Sequence, residues 1–321
     1  MNKKIAAKIN KLPPSDKQEL LKLIQELEEA KERQACNDQF MSFVKSQWSA
    51  FIEGPHHKIM AEAFEKVARG ELKRLIINMP PRHTKSEFAS YLLPAWFLGK
   101  YPEKKIIQTA HTAELAVGFG RKVRNLVNSN DFKDVFPNVS LQSDSKAAGR
   151  WNTNKGGEYF AIGVGGAVTG KGADLLIIDD PHSEQEGASA DPAVFGKTYE
   201  WYSSGPRQRL QPGGAIVMVM TRWNQKALTG QVLDASVKRG GSDQWEVIEL
   251  PAIMPSGKPL WSAFWKLEEL EALRAELPTS KWMAQYQQDP TSEEGALVKR
   301  EWWKVWEGRH PPDCEFIIQS W

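Results

Sequence analysis

Leu75-Ile76-Ile77-Asn78-Met79-Pro80-Pro81-Arg82-His83-Thr84-Lys85-Ser86-Glu87 is the stretch on which the fold turns. A short apolar run meets a turn built on two prolines. It then delivers Lys-Ser where a helix, Phe88 to Gly99, can begin. Strand, tight loop and Lys-Ser at a helix start form a cradle for a triphosphate. Backbone N–H groups and the positive helix end face the phosphates. The lysine reaches the β- and γ-phosphates, and the serine hydroxyl serves Mg²⁺. The usual pattern is G-x-x-x-x-G-K-[ST], and here Met79 and Thr84 stand at its glycine positions. An ordinary strand-to-helix loop would use similar residues.

Far downstream, Leu175-Leu176-Ile177-Ile178 runs into Asp179-Asp180-Pro181-His182. A buried strand ending in Asp can hold the Mg²⁺ that bridges the phosphates. The next carboxylate is placed to polarise an attacking water. Alone, Asp-Asp could be a helix cap or a turn. With the Lys-Ser loop before it, the pair makes a P-loop NTPase the leading reading.

The strands and helices around these motifs agree with that reading. Lys105–Ala110 reads as a strand, and Thr112 caps a helix from Ala113 to Asn128. Tyr159–Val164 is a looser strand, followed by a helix around Ala193–Ser203 and a strand over Ala215–Met220. Strands alternating with helices predict an α/β fold whose parallel sheet is covered on both faces. Ligands in such sheets bind at the carboxyl ends of strands, where Lys85, Asp179 and Thr221 fall. Residues 37–74 are helical and aromatic, and this segment is positioned to close over a nucleotide base. Its His56-His57 pair reads as base contacts, as a helix start or as surface, and lacks the further ligands of a zinc site.

Composition bounds the partners. The chain has 321 residues, 26% charged and 41% apolar, with a net charge of +2. That suits one large α/β domain with a subdomain. Nothing global demands nucleic acid, so DNA contact would need local basic patches such as Lys171 or Lys238-Arg239. Cys36 and Cys314 form no metal spacing and read as reduced thiols. No membrane span or signal peptide is visible. Thirteen tryptophans are a high number, many beyond residue 245, and packing is their commoner use.

Four segments are expected: a helical appendage over 1–36, a P-loop core over 37–240, a lid over 241–313, and the start of another domain over 314–321. In the appendage, Ser15 with Gln18 suggests a capping box. Leu20, Leu21, Ile24 and Leu27 form a stripe at helical spacing, suited to the main domain or to a neighbouring subunit.

Several motifs together resemble one family, the large terminase subunit of tailed bacteriophages, an ATP-driven DNA-packaging motor. They are Pro80–Ser86, Thr169-Gly170-Lys171-Gly172-Ala173-Asp174 leading into Asp179–His182, Met220-Thr221-Arg222-Trp223, and Gln285-Tyr286-Gln287-Gln288-Asp289-Pro290. The likeness runs from about Trp48 to Trp321. It implies a RecA-like (ASCE) ATPase core with a lid. Nucleotide would lie along Pro81, Arg82, His83, Thr84, Lys85, Ser86 and Glu87, with Mg²⁺ on Ser86 and Asp179. The resemblance assigns ATP hydrolysis to Asp180 as water activator, to Lys85 and Arg82 as phosphate-charge stabilisers, and to Thr221 as γ-phosphate sensor. Asp180 stands where the family often has the longer glutamate.

The same resemblance implies further partners: double-stranded DNA, a portal protein, a small terminase subunit, and copies of the chain in a ring on the procapsid in the host cytoplasm. Free in solution the chain could be monomeric. The finger arginine of such a ring falls among Arg121, Arg124 and Arg150. Phe316–Trp321 resembles the first strand of the family's nuclease, up to its first metal-binding aspartate. That implies an ATPase portion without DNA cleavage. A helicase-like P-loop motor and a nucleotide-binding assembly factor without turnover are the other functions these residues would permit.

Overall fold

The computed structural model describes residues 13–187, 192–238 and 243–290. Cys314, Arg239 and the expected nuclease strand at 314–321 lie outside them.

Eight strands form one sheet. They are β1 (Arg74–Asn78), β2 (Lys105–Ala110), β3 (Leu141–Ala147), β4 (Arg150–Thr153), β5 (Glu158–Gly163), β6 (Ala173–Asp179), β7 (Leu210–Met220) and β8 (Glu246–Glu249), in the order β3-β4-β5-β2-β6-β7-β1-β8. From β5 to β8 all pairings are parallel, while β3 and β4 add an antiparallel edge. The protein is therefore the α/β fold expected, a mostly parallel sheet with helices on both faces.

Alternation along the strands decides which core each side chain joins. Leu75, Ile77, Leu175, Ile177, Val217 and Val219 share one core with the helices before and after β1. Ile76, Leu176, Ile178, Ile216, Met218 and Met220 share the other. There they meet Phe195 and Tyr202 of the helix Pro192–Ser204, and Leu228 and Val232 of Leu228–Lys238. Strands buried on both faces read as unbroken apolar runs, which is how β1, β6 and β7 announced themselves.

On the first face, helix α1 (Pro14–Asp38) leads to α2 (Phe40–Gln47) and α3 (Pro55–Ala68). Pro14 opens α1, where a missing N–H costs nothing. That start puts Ser15 and Gln18 inside the helix, so no capping box forms between them. Instead, the Ser15 hydroxyl donates to Asp16 Oδ1 at 2.9 Å. Of the apolar stripe, Leu20 and Ile24 are half-buried, while Leu21 and Leu27 are mostly exposed. The far end of α1 is anchored: Trp96 Nε1 donates to Cys36 O at 3.0 Å, and Lys100 Nζ to Asn37 O at 2.9 Å. Phe40 meets Phe64, Phe88 and Trp96 edge-on beneath it.

The helix after the Lys-Ser loop opens as a π-turn over Glu87–Leu92 and becomes α4 (Leu93–Lys100). Leu93 N–H reaches back five residues to Phe88 O. The wide turn absorbs Pro94, which has no N–H to give the preceding turn. Helices α5 (Ala113–Val127) and α6 (Asn130–Val135) follow β2. Thr112 Oγ1 accepts from Leu115 N–H at 3.2 Å, the cap read from sequence.

Beyond β7 the sheet continues one strand further than expected. Residues 246–249, which the sequence placed within the lid, pair with β1 as β8. The chain then builds a small separate core of Ala252, Leu270 and Trp282, with Trp265 and Tyr286 packed against it. Its last helical stretch is a short turn, Thr279–Lys281, running into a wide one, Trp282–Tyr286.

Candidate active site

Register assembles the site. Asn78 of β1 lies opposite Met220 of β7, and Asp179 of β6 lies opposite Val219 of β7 and Ala110 of β2. Those strand ends are level, so the Lys-Ser loop, the Asp-Asp pair and Thr221 leave the sheet side by side.

Lys85 is buried at the centre. Its Nζ lies 2.9 Å from Asp180 Oδ2 and donates to Thr221 Oγ1 at 3.0 Å. The other Asp180 oxygen, Oδ1, accepts from Thr221 N–H at 2.7 Å. Thr221 Oγ1 in turn donates to Met79 O at 3.3 Å. Lysine, carboxylate and threonine thus satisfy one another. Asp180 has a φ of 39°, a left-handed conformation that costs a non-glycine residue on the order of 1–3 kcal/mol. The strain sits at the carboxylate that the sequence singled out.

Asp179 is nearly inaccessible, at 2% exposure. Its Oδ1 accepts from the Ser86 hydroxyl at 2.9 Å and its Oδ2 from the Ser90 hydroxyl at 2.7 Å. Ser90 Oγ accepts from Gln108 Nε2 at 2.9 Å. Burial pushes the Asp179 carboxyl up to about 7, and the Asp180 charge adds to the rise. Lys85 and the two serines pull the other way. A carboxylate and a hydroxyl, both hard oxygens, suit Mg²⁺, which takes one or two protein ligands and leaves the rest to phosphates and water. Among the described residues no group of three or more His, Cys, Asp or Glu gathers to hold a metal. Ser90 and Gln108 were missed in the sequence. Ser90 stands four residues after Ser86 along the same helical stretch, and that spacing is the signal that would have found it.

A cavity of about 670 Å³ opens beside the loop. Arg82, Thr84, Lys85, Ser86 and Glu87 line its polar side. Trp48, Ala50 and Ile52 from before the loop, and Trp261, Phe264 and Trp265 from after β8, line the rest. A polar floor with aromatic walls, at this volume, fits a nucleotide-sized ligand. Arg82 is exposed and has a φ of 59°. Glu87 pairs with Lys122 at 2.8 Å.

The loop's other side chains turn elsewhere. Pro81 and His83 do not line the cavity. His83 is fully buried, with Nδ1 2.8 Å from Pro81 O and its ring stacked on Trp265. His56 and His57 are equally buried, so neither is a surface residue. Burial holds His56 and His57 down to about 3 and His83 to about 4, leaving all three neutral near pH 7.

Arg222, next to Thr221, reaches the small core. Its N–H donates to Gln288 Oε1 at 3.2 Å, and its Nη1 lies 3.1 Å from Glu249 Oε1. Asn78 Nδ2 donates to the same Glu249 oxygen at 3.2 Å. Of the three arginines read as ring candidates, Arg124 donates to Lys146 O and to Asn125 Oδ1, and Arg150 pairs with Glu158 at 3.3 Å. Arg121 is exposed on α5. Lys171, read as a possible DNA contact, is turned inward against Glu158 and the Phe160 ring. Lys238 pairs with Asp234 at 2.7 Å.

No family model and no curated protein matches the chain. Among solved structures it is similar to the HK97 bacteriophage large terminase, at 14% identity and a TM-score of 0.49 over 74% of this chain and 50% of that one. It is also similar to the Thermus phage P74-26 large terminase ATPase domain, at 17% identity and a TM-score of 0.45 over 71% of this chain and 93% of that domain. A third is the large terminase of a thermophilic bacteriophage in complex with ADP, at 9% identity and a TM-score of 0.43 over 70% of this chain and 52% of that one. The chain therefore spans about half the length of the HK97 protein and of this ADP-bound terminase. At these values the likeness says nothing of activity. No helix among the described residues is long and apolar enough to cross a membrane.

Proposed function

We propose that this chain is the ATP-hydrolysing portion of a large terminase, a motor that moves double-stranded DNA into a procapsid. The observation that carries the reading is the convergence of Lys85, Ser86, Asp179, Asp180 and Thr221 at level strand ends beside the cavity.

The chemistry follows from the contacts. Phosphates entering over the loop compete with Asp180 for Lys85, and the lysine exchanges a carboxylate for the β- and γ-phosphates. That exchange frees Asp180 to orient and deprotonate a water in line with the γ-phosphate. Ser86 and Asp179 would hold Mg²⁺, which neutralises charge on the phosphoryl oxygens when bound. Thr221, freed with Asp180, reports the presence of γ-phosphate to Arg222 and Gln288. Arg82 stabilises charge on the transferring group. The aromatic walls, Trp48 and Trp265 among them, take the base.

DNA, a portal protein, a small subunit and a ring of copies on the procapsid complete the proposal, supported by the family resemblance of the motifs. Steady-state ATP hydrolysis over a series of protein concentrations, with and without duplex DNA, tests the motor reading. A rate per chain that climbs with concentration and with DNA is expected, since a ring motor draws an arginine from its neighbour. A rate indifferent to both contradicts it.

A further inference from the structure

Thr84 occupies the position before the lysine at which the phosphate-loop pattern has glycine, and its φ is 68°. A β-branched residue in that region is a conformational outlier. Something must hold it there.

The hydroxyl is bonded on both sides. Thr84 Oγ1 donates to His83 O at 2.5 Å and lies 2.7 Å from His57 Nε2. His57 Nδ1 accepts from Gly54 N–H at 2.8 Å. A backbone N–H can only donate, so Nδ1 carries the lone pair and the neutral ring keeps its hydrogen on Nε2. Every hydrogen in the chain then has one direction: Gly54 to His57, His57 to Thr84, Thr84 to His83. The ring itself is fixed, stacked on Phe88 at 4.7 Å and against His56 at 3.8 Å. Gly54 must be glycine for this approach, because a Cβ there would lie 2.6 Å from Trp261 Cδ1.

We propose that His57 is a positioning residue of the phosphate loop, whose Nε2–H holds Thr84 in the left-handed conformation that aims Lys85 and Ser86. The chain sets with a side chain a loop shape that glycine adopts unaided. His57 touches no reacting atom, and its effect on nucleotide rests on the site proposed above.

A double-mutant cycle reads the effect in two ways: amide hydrogen exchange of residues 82–87 in the unliganded protein, and equilibrium affinity for MgATPγS. His57→Ala is expected to speed loop exchange and to weaken affinity by roughly tenfold. In the Thr84→Gly background, whatever its own affinity, adding His57→Ala should change either readout by no more than about twofold. His57→Gln, whose amide can still donate, should recover most of the loss. If His57→Ala fails to fold, Thr84→Val removes the acceptor while the ring keeps its bed, and it should speed exchange alike. Equal acceleration by His57→Ala in both backgrounds, or unaltered exchange in Thr84→Val, overturns the proposal. Coupled exchange with no nucleotide affinity in any variant supports the strut and refutes the nucleotide-site reading instead.

Discussion

Ser90 governs how Asp179 is presented. Its hydroxyl donates to Oδ2, leaving Oδ1 to face Ser86, and Gln108 holds Ser90 from behind. Groups that orient a metal-binding carboxylate typically matter by 10–100-fold in metal affinity. Ser90→Ala is therefore expected to raise the Mg²⁺ concentration for half-maximal ATP turnover by roughly tenfold or more, while nucleotide affinity without Mg²⁺ stays near wild type. A Mg²⁺ titration of turnover checks this, and an unchanged midpoint would remove Ser90 from the account. At this scale the sequence was legible where chemistry fixes the residue type. Lys85, Ser86 and the aspartates could be named from their order alone. Ser90 and Gln108 could not, and His57 was named without its contact to Thr84, because serine, glutamine and histidine serve many structural roles and only the fold brings these three to the loop.

Among the elements, β1, β6 and β7 were readable as apolar runs because both their faces are buried. Strand β3, Leu-Gln-Ser-Asp-Ser-Lys-Ala, carries no such pattern, since it is an edge strand largely open to solvent. The helix after the loop was legible as a helix but not as irregular, since the wide turn begins at Glu87, well before Pro94. That turn also delivers Ser90 to Asp179. α4 then meets the chain after α6 closely: a Cβ on Gly99 would lie 2.4 Å from Phe136. Phe136 is itself buried, so it has little room to yield. Gly99→Ala should destabilise the protein by about 1–3 kcal/mol through overpacking, seen as a lower Tm in thermal unfolding. An unchanged Tm would contradict this packing of α4.

Across the whole molecule, the two sheet faces and the small core after β8 meet at one place. Loop, carboxylates and Thr221 come from the sheet, while Trp261 and Trp265 come from beyond it, and Arg222, next to Thr221, donates its N–H to Gln288. This convergence was only partly legible. The sequence separated the last segment from the core by its change of character, but β8 belongs to the sheet, because the edge of β1 stays open for a parallel partner until Glu246–Glu249 fills it. Nor could periodicity show that aromatic residues from before β1 and after β8 would wall one cavity. The central claim is that Asp180 rests on Lys85 until nucleotide takes the lysine, and then activates water. Its most direct test sets ATP binding beside ATP turnover in the wild type, Lys85→Ala and Asp180→Asn. The account predicts that Asp180→Asn binds ATP at least as tightly as wild type yet turns over at least about a hundredfold more slowly, whereas Lys85→Ala loses both. Wild-type turnover in Asp180→Asn would contradict it.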